Sequence, residues 1–266
     1  MRVLLGQLEP APGDLAANAR AVADALAGHP DADLAVFPEL FLPGYAPERA
    51  DELAVDAGGP ELTVVGEAAA AAATSVVVGF AERVEGGVAN AVACFDPDGR
   101  LAATYRKTHL FGPREHAAFT AGDALCVTDL GGVAIAPLIC FDVEFPEPAR
   151  AVSRAGAEVL VTVAANMDPY AEDHALAARA RALDNRRPHV YVNRVGSESG
   201  LRFCGASAAI AADGRVLSSA GTDAALLEVD LDVAVGAPPD VDYLSQIRSD
   251  LEVERPHFSP TQGGTR

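Results

Sequence analysis

The sequence predicts an α/β protein in which helices cover the sheets. Short apolar runs suited to strands recur along the 266 residues, and several are continuous rather than alternating, as in strands buried on both faces. Helical patterns lie between these runs, and turn signals join some neighbouring strands directly. No linker divides the chain, and α/β folds of this length are often single domains. Together these observations indicate a layered α/β fold in one domain.

Each predicted element has its own local signal. Nine apolar segments are predicted to form strands: residues 3–7, 34–37, 75–81, 89–95, 133–139, 159–163, 189–193, 205–211 and 225–229. Four segments between them are predicted to be helical: residues 14–28, 59–73, 146–155 and 173–185. The first of these helices has a suitable N-cap in Asp14 and ends at Gly28. Turns are indicated at residues 85–87, 96–99 and 213–214.

Charge and composition exclude several classes of partner. The chain carries 38 acidic and 20 basic residues, for a formal net charge of −18. Such a polyanion repels nucleic acid and anionic membranes, so neither partner is expected. The chain has no apolar run of about 18 residues and no signal-peptide core. No zinc-like spacing of His and Cys and no Gly-rich phosphate loop occurs, so neither a metal nor another cofactor is expected.

The cysteines indicate a reducing compartment. Their spacing is irregular and includes no Cys-x-x-Cys pair, so free thiols in the cytoplasm are the expectation. The four positions are Cys94, Cys126, Cys140 and Cys204. One of these thiols is a candidate nucleophile.

Three segments carry candidate reactive side chains. Glu39 follows the strand at residues 34–37, between two prolines that keep the backbone extended. Lys107 and His109 lie in a segment that mixes cations with apolar residues. Cys140 stands where a strand meets a turn before a helix, where backbone N–H groups can bind an oxyanion.

Each segment taken alone also has an ordinary structural explanation. A strand-end glutamate is usually a solvated or ion-paired surface residue, and a buried cysteine is usually inert packing. Spacing alone also leaves open a nucleophilic pair of Cys140 with His109. The residues by themselves therefore do not choose between these interpretations.

In combination the three segments resemble a known family. Phe-Pro-Glu at 37–39, Tyr-Arg-Lys-x-His-Leu at 105–110 and Ile-Cys-Phe-Asp-x-x-Phe-Pro-Glu at 139–147 are similar, in this order, to the nitrilase (carbon–nitrogen hydrolase) superfamily. The resemblance extends over about residues 1–252. Ala-Asn-Met-x-Pro-Tyr at 165–170 is similar to the branch of 5-aminopentanamidases and aliphatic or stereoselective amidases.

The resemblance implies an architecture and an assembly. The expected fold is a four-layer αββα sandwich in a single domain spanning residues 1–254. Residues 255–266 are expected to be a C-terminal tail that is loosely ordered or docked on a partner subunit. The resemblance also implies a homodimer or a higher homo-oligomer.

The resemblance also implies a role for individual residues. Cys140 would attack the amide carbon, and Glu39 would take up and return the proton. Lys107 and the backbone N–H of Phe141 would form the oxyanion hole, and a lysine near a cysteine is expected to favour the thiolate. Four further residues complete the implied site, with Glu115 as a second glutamate and with a substrate-binding group of Tyr45, Phe145 and Asn166.

The predicted function is hydrolysis of a small aliphatic amide to a carboxylic acid and ammonia through a cysteine thioester. An ω-amino amide such as 5-aminopentanamide is one candidate substrate. A nitrilase and an N-carbamoyl amine hydrolase remain alternatives, because they would use the same residues. A different alternative is an inactive binding or assembly subunit on the same fold, since fold alone does not prove function.

Overall fold

The computed structural model describes residues 1–233, 242–248 and 250–251. Fourteen strands are found in these residues: β1 (Arg2–Gln7), β2 (Leu34–Val36), β3 (Ser75–Val84), β4 (Gly87–Phe95), β5 (Leu101–Arg106), β6 (Thr128–Leu130), β7 (Val133–Ile139), β8 (Val159–Ala164), β9 (His189–Asn193), β10 (Ser197–Glu198), β11 (Leu201–Arg202), β12 (Ala208–Ile210), β13 (Val216–Ser219) and β14 (Ala225–Asp230). The described residues also form six α-helices: α1 (Leu15–Gly28), α2 (Ala50–Leu53), α3 (Pro60–Ala72), α4 (Gly112–Ala118), α5 (Pro146–Arg154) and α6 (Ala171–Asn185). The predicted tail at 255–266 lies outside the described residues.

Two six-stranded mixed sheets form the centre of the molecule. The first has the strand order β14-β1-β2-β3-β4-β5, and the second has the order β13-β12-β9-β8-β7-β6. In the first sheet β1, β2 and β3 are parallel, and in the second β7, β8 and β9 are parallel. Antiparallel strands flank each parallel group. The sheets therefore share one plan, with a parallel centre and antiparallel edges.

Alternation along the strands divides each sheet into an inner and an outer face. Val3 and Leu5 belong to a core shared with the second sheet, whereas Leu4 between them packs with α1 and α3. In the second sheet, Ile135 and Ile139 lie in the shared core, and Leu138 packs with α5 on the other face. The prediction of an αββα sandwich in a single domain is confirmed.

The local signals account for the observed ends of the helices. The Asp14 side chain accepts a hydrogen bond from the Ala17 N–H at 2.9 Å, which caps α1. Prolines begin α3 and α5, where the missing N–H costs nothing. The four long helices and nine strands predicted from the sequence are present, with ends that differ by a few residues.

The sequence prediction omitted the short elements. Strands β5, β6, β10, β11 and β13 and helices α2 and α4 were not predicted. Most of them are four residues or fewer, which is too short for a periodic pattern to emerge. Helix α4 begins at Gly112, inside the cationic segment, and it carries Glu115.

Candidate active site

The candidate site lies at the carboxyl ends of the central strands. Cys140 directly follows β7, and Asn166 lies two residues after β8. Glu39 follows β2 of the first sheet by three residues, and Lys107 directly follows β5. Parallel strands bring such positions to the same edge of a sheet, and ligands of open α/β folds bind outside this edge. The face-to-face sheets then bring the two sets of side chains together.

A fully buried lysine lies at the centre of the site. The Lys107 ammonium donates to Glu39 Oε1 at 2.7 Å, and it lies 2.8 Å from Glu115 Oε2 and 3.0 Å from Glu115 Oε1. Burial opposes the charged ammonium, but the two carboxylates outweigh burial, and the pKa of Lys107 is raised well above its ordinary value. Lys107 therefore stays cationic and can stabilise negative charge that develops beside it.

Both oxygens of Glu39 have fixed partners besides the lysine. The Asn90 side-chain amide donates to Glu39 Oε1 at 2.7 Å, and the backbone N–H of Ala165 donates to Oε2 at 2.8 Å. Glu39 is fully buried, so these bonds fix its orientation. The sequence interpretation gave Asn90 no role in the site. Asn90 lies in β4, and only the packing of β4 beside Glu39 shows that the two side chains meet.

Glu115 is held in the same way. Its Oε1 accepts a hydrogen bond from the Tyr45 hydroxyl at 2.6 Å, and its Oε2 accepts one from the Phe111 N–H at 2.9 Å. Burial and the charge of Glu115 raise the pKa of Tyr45 far above its ordinary value, so this hydroxyl keeps its proton and acts as a donor. Glu115 thus joins Lys107 to the wall of the pocket.

Cys140 has a strained backbone and a protonated thiol. Its φ is +47°, a left-handed conformation that is uncommon for a residue with a side chain. Burial raises the pKa of the Cys140 thiol well above its ordinary value, and the negative charge of Glu39 raises it further. Lys107 acts in the opposite direction and is outweighed. The lysine thus favours the thiolate, in the expected direction, but burial and the carboxylate prevail and the thiol keeps its proton.

Asp142 secures the turn that presents the cysteine. Its Oδ2 accepts hydrogen bonds from the Ile139 N–H at 3.0 Å and the Tyr105 hydroxyl at 2.7 Å. Its Oδ1 accepts from the Thr108 hydroxyl at 2.8 Å and the His109 N–H at 2.9 Å. One buried carboxylate thus joins the turn after β7 to the segment that carries the lysine.

The same contacts decide the position of His109. Its Nδ1 lies 2.8 Å from Asp142 Oδ1, and its ring stacks on Phe145 with a centroid distance of 4.2 Å. Within the part of the chain that the structure describes, no hydrogen bond joins His109 to Cys140. The geometry therefore gives no support to a Cys140–His109 pair.

A pocket with an empty volume of about 270 Å³ opens onto Cys140. Tyr45, Glu115 and Asn166 line it, as the resemblance implied. Phe141 also lines the pocket, and the sequence interpretation missed five further lining residues: Phe111, Glu144, Met167, Tyr170 and His174. Met167 and Tyr170 belong to the recognised 165–170 segment, whereas only the packing of α6 brings His174 here.

Phe145, which the resemblance places in the substrate-binding group, is not among the described residues that line this pocket. Its ring stacks on His109 and meets the Phe141 ring edge-on at a centroid distance of 5.0 Å. Phe145 therefore packs against Phe141, which lines the pocket.

The described residues contain no group of three or more His, Cys, Asp or Glu side chains arranged to hold a metal ion. No helix among them combines the length and apolar character needed to cross a bilayer.

Comparison with known proteins identifies the family. Residues 2–238 match the model of the carbon–nitrogen hydrolase family. An (R)-stereoselective amidase from Pseudomonas sp. is 39% identical over 96% of this chain and 94% of its own length. A protein described as a hydrolase in the pqqF 5' region of Pseudomonas protegens is 41% identical over 87% of this chain and 83% of its own.

Solved structures agree with these relatives. The crystal structure of an amidase from Nesterenkonia sp. superposes with a TM-score of 0.84 at 30% identity, covering 93% of each chain. A mutant of that amidase, with the same TM-score and identity and covering 93% of this chain and 94% of its own, carries the acetamide moiety of fluoroacetamide on its active-site cysteine.

These findings place the chain in the carbon–nitrogen hydrolase family, within the nitrilase superfamily. The prediction of an enzyme of this class is confirmed, as is the resemblance to the stereoselective amidase branch.

Proposed function

We propose that this enzyme hydrolyses small aliphatic amides to carboxylic acids and ammonia, with Cys140 as nucleophile. The observation that carries the proposal is a buried cluster of Glu39, Lys107 and Cys140, of which Cys140 lines a small pocket. An acceptor of protons, a fixed cation and a nucleophile are the groups that acyl transfer requires.

The first half of the reaction transfers the acyl group to sulfur. Because the thiol is protonated, Glu39 takes its proton as the sulfur attacks the amide carbon. The carbonyl oxygen becomes an oxyanion, which Lys107 and the N–H of Phe141 stabilise. Phe141 belongs to the first turn of a 3₁₀ helix at Cys140–Glu144, where N–H groups have no partner within the helix. Glu39 returns the proton to the departing nitrogen, and ammonia leaves a thioester on Cys140.

Water completes the cycle. Glu39 removes a proton from water as the oxygen attacks the thioester, and the same oxyanion site stabilises the second tetrahedral intermediate. The carbon–sulfur bond then breaks, the acid leaves, and the proton returns to Cys140. Glu115 touches Lys107 but not the reacting atoms in this scheme, so it is a positioning residue. Tyr45 and Asn166 would contact the substrate from the pocket wall.

Ammonia release from a panel of small amides tests this proposal. The wild type should release ammonia, and Cys140→Ala should abolish the release. Cys126→Ala is the matched control, because it removes a half-buried thiol that does not line the pocket. Activity that survives Cys140→Ala would contradict the proposal.

The same panel separates the alternatives. Turnover of nitriles or N-carbamoyl amines without turnover of amides would keep the three residues but assign a different substrate. Absence of turnover with all three classes would favour the binding-subunit alternative. We favour amides because the 165–170 segment resembles that of the amidase branch and because two of the similar proteins are amidases.

We also propose a homodimer in the cytoplasm. Leu176 and Leu183, seven residues apart on α6, are 69% and 38% exposed, and leucines on one exposed helix face favour burial against a second copy. Sedimentation should show a dimer that Leu176→Glu with Leu183→Glu weakens; an unchanged mass would contradict this interface. All four cysteines are free thiols, as expected of a reducing compartment.

A further inference from the structure

We propose that an ion pair between Arg194 and Glu198 positions Tyr45 and, through Tyr45, the lysine that stabilises the oxyanion. This inference rests on the proposed amide hydrolysis and adds two positioning residues to it. The mechanism above gives neither residue a task, although the Arg194 side chain is fully buried and that of Glu198 is 7% exposed. A charged pair removed from water beside a reaction site calls for a physical explanation, because its burial costs free energy.

The ion pair joins the end of a central strand to a short hairpin. Arg194 directly follows β9, and Glu198 ends β10, which pairs with β11. The Arg194 guanidinium donates to Glu198 Oε2 at 2.6 Å. Burial lowers the pKa of Arg194, although the hydrogen bond and the charge of Glu198 act in the opposite direction. Each side chain therefore depends on the other, because loss of either would leave a buried charge without its partner.

Glu198 holds the backbone of Tyr45. The Tyr45 N–H donates to the same oxygen, Glu198 Oε2, at 2.8 Å, although the two residues are 153 positions apart in the chain. The preceding residue is Gly44, with a φ of +81°, and a Cβ atom there would lie 2.6 Å from Glu198 Oε1. A glycine at position 44 therefore lets the carboxylate reach the backbone.

Arg194 supports the ring of the same tyrosine through a second aromatic side chain. Its guanidinium carbon lies 4.1 Å from the centroid of the Phe203 ring, a distance at which a cation is attracted to an aromatic face. The Phe203 ring meets the Tyr45 ring edge-on, with a centroid distance of 5.7 Å. The ion pair thus holds Tyr45 at its backbone through one member and at its ring through the other.

The position of Tyr45 acts on the reaction through its hydroxyl group. That hydroxyl donates to Glu115 Oε1 at 2.6 Å, and the same oxygen lies 3.0 Å from the Lys107 ammonium. A displaced Tyr45 would therefore shift Glu115 and move the ammonium away from the developing oxyanion. A misplacement of about 1 Å that originates far from the chemistry can slow a reaction about 100-fold. The oxyanion forms only during the reaction, so the loss is expected mainly in kcat.

Ammonia-release kinetics of Glu198→Ala test the proposal on the best amide of the panel. We expect kcat to fall by up to about 100-fold, with a smaller change in KM. Glu198→Gln should lose less, because an amide oxygen at the place of Oε2 still accepts from both the Tyr45 N–H and the Arg194 guanidinium. Glu9→Ala is the matched control, since it removes an exposed carboxylate that contacts the Ser197 N–H of the same hairpin, and it should keep the wild-type kcat.

A double-mutant cycle with Tyr45→Phe separates positioning from a general loss of stability. Tyr45→Phe removes the hydroxyl that connects the ion pair to Glu115. In this background Glu198→Ala should lower kcat by a much smaller factor than in the wild type, because the connection is already broken. Equal factors in the two backgrounds would overturn the proposal. If Glu198→Ala does not fold, the same cycle is measured with Glu198→Gln, and equal factors would overturn the proposal there as well.

The proposed function and this inference fail in different ways. If the wild type releases ammonia and Cys140→Ala does not, but Glu198→Ala is as active as Glu9→Ala, amide hydrolysis stands and the role of the ion pair is overturned. If the wild type releases no ammonia from any amide of the panel, the proposed function fails, and this inference fails with it.

Discussion

Glu115→Gln tests the claim that this carboxylate positions the catalytic lysine. Both oxygens of Glu115 act only as acceptors, one facing the Tyr45 hydroxyl and the other the Phe111 N–H, and both face the Lys107 ammonium. A glutamine has one acceptor and one NH₂ donor at these positions. Whichever way its amide is turned, the NH₂ meets donors instead of acceptors, so at least two hydrogen bonds are lost along with the charge.

The expected losses are large because the group is buried. Breaking one side of a buried ion pair costs about 3–5 kcal/mol in the free energy of unfolding. Lys107 keeps Glu39 as a partner, which favours the lower end of that range. A displaced lysine also weakens the oxyanion site, and loss of one such donor lowers kcat by about 100- to 1,000-fold.

Urea unfolding and ammonia-release kinetics measure the two effects on the same preparation. Glu67→Gln, an exposed position on α3, is the matched control and should change neither quantity appreciably. If Glu115→Gln keeps both kcat and the free energy of unfolding within the range of the control, Glu115 does not position Lys107.

Three further predictions follow from buried groups. Glu39→Gln should abolish amide hydrolysis. Iodoacetamide should nevertheless alkylate Cys140 of this variant at least as fast as Cys140 of the wild type, because loss of the negative charge lowers the pKa of the thiol. Mass spectrometry measures the alkylation, and slower alkylation would contradict this electrostatic reasoning. Burial lowers the pKa of His189 from 6.5 to about 4, so the unfolded state takes up the proton first as pH falls, and stability should decrease between these pH values. The free energy of unfolding, measured in urea at several pH values, should show this decrease. An equal decrease in a His189→Gln variant would mean that another group causes it. Asp142→Ala removes a buried carboxylate that accepts four hydrogen bonds. It should lower the free energy of unfolding, measured in urea, by about 3–5 kcal/mol. A loss below about 1 kcal/mol, the size of one ordinary hydrogen bond, would show that Asp142 does not secure the turn.

The sequence was informative where a signal repeats or where chemistry is local. Continuous apolar runs predicted the central strands, because a strand buried on both faces has few polar residues. Asp14 and the two helix-initiating prolines marked the ends of long helices for reasons of local backbone hydrogen bonding. Glu39 and Cys140 are indicated because each follows a predicted strand, and Lys107 because it lies between them in a recognisable order of motifs.

Only the tertiary structure shows which side chains lie next to one another. Asn90 and Glu39 are 51 residues apart and meet through a strand pairing that no local pattern encodes. The protonated state of Cys140 depends on burial and on the sum of opposite charges, so the neighbouring lysine, which favours the thiolate, does not decide it alone. Phe145 and Glu144 are neighbours in the chain, yet Phe145 packs against Phe141 and Glu144 lines the pocket.

What the sequence determined by itself is therefore the fold class, the family and the three residues proposed for the chemistry, since these follow from local backbone preferences and from motifs of consecutive residues. What the tertiary structure decided is the electrostatics and the lining of the pocket. Burial and charge act between residues that packing brings together. Glu144 and His174 are an example: they are 30 positions apart in the chain, and they meet only because α6 packs beside the turn that carries Glu144.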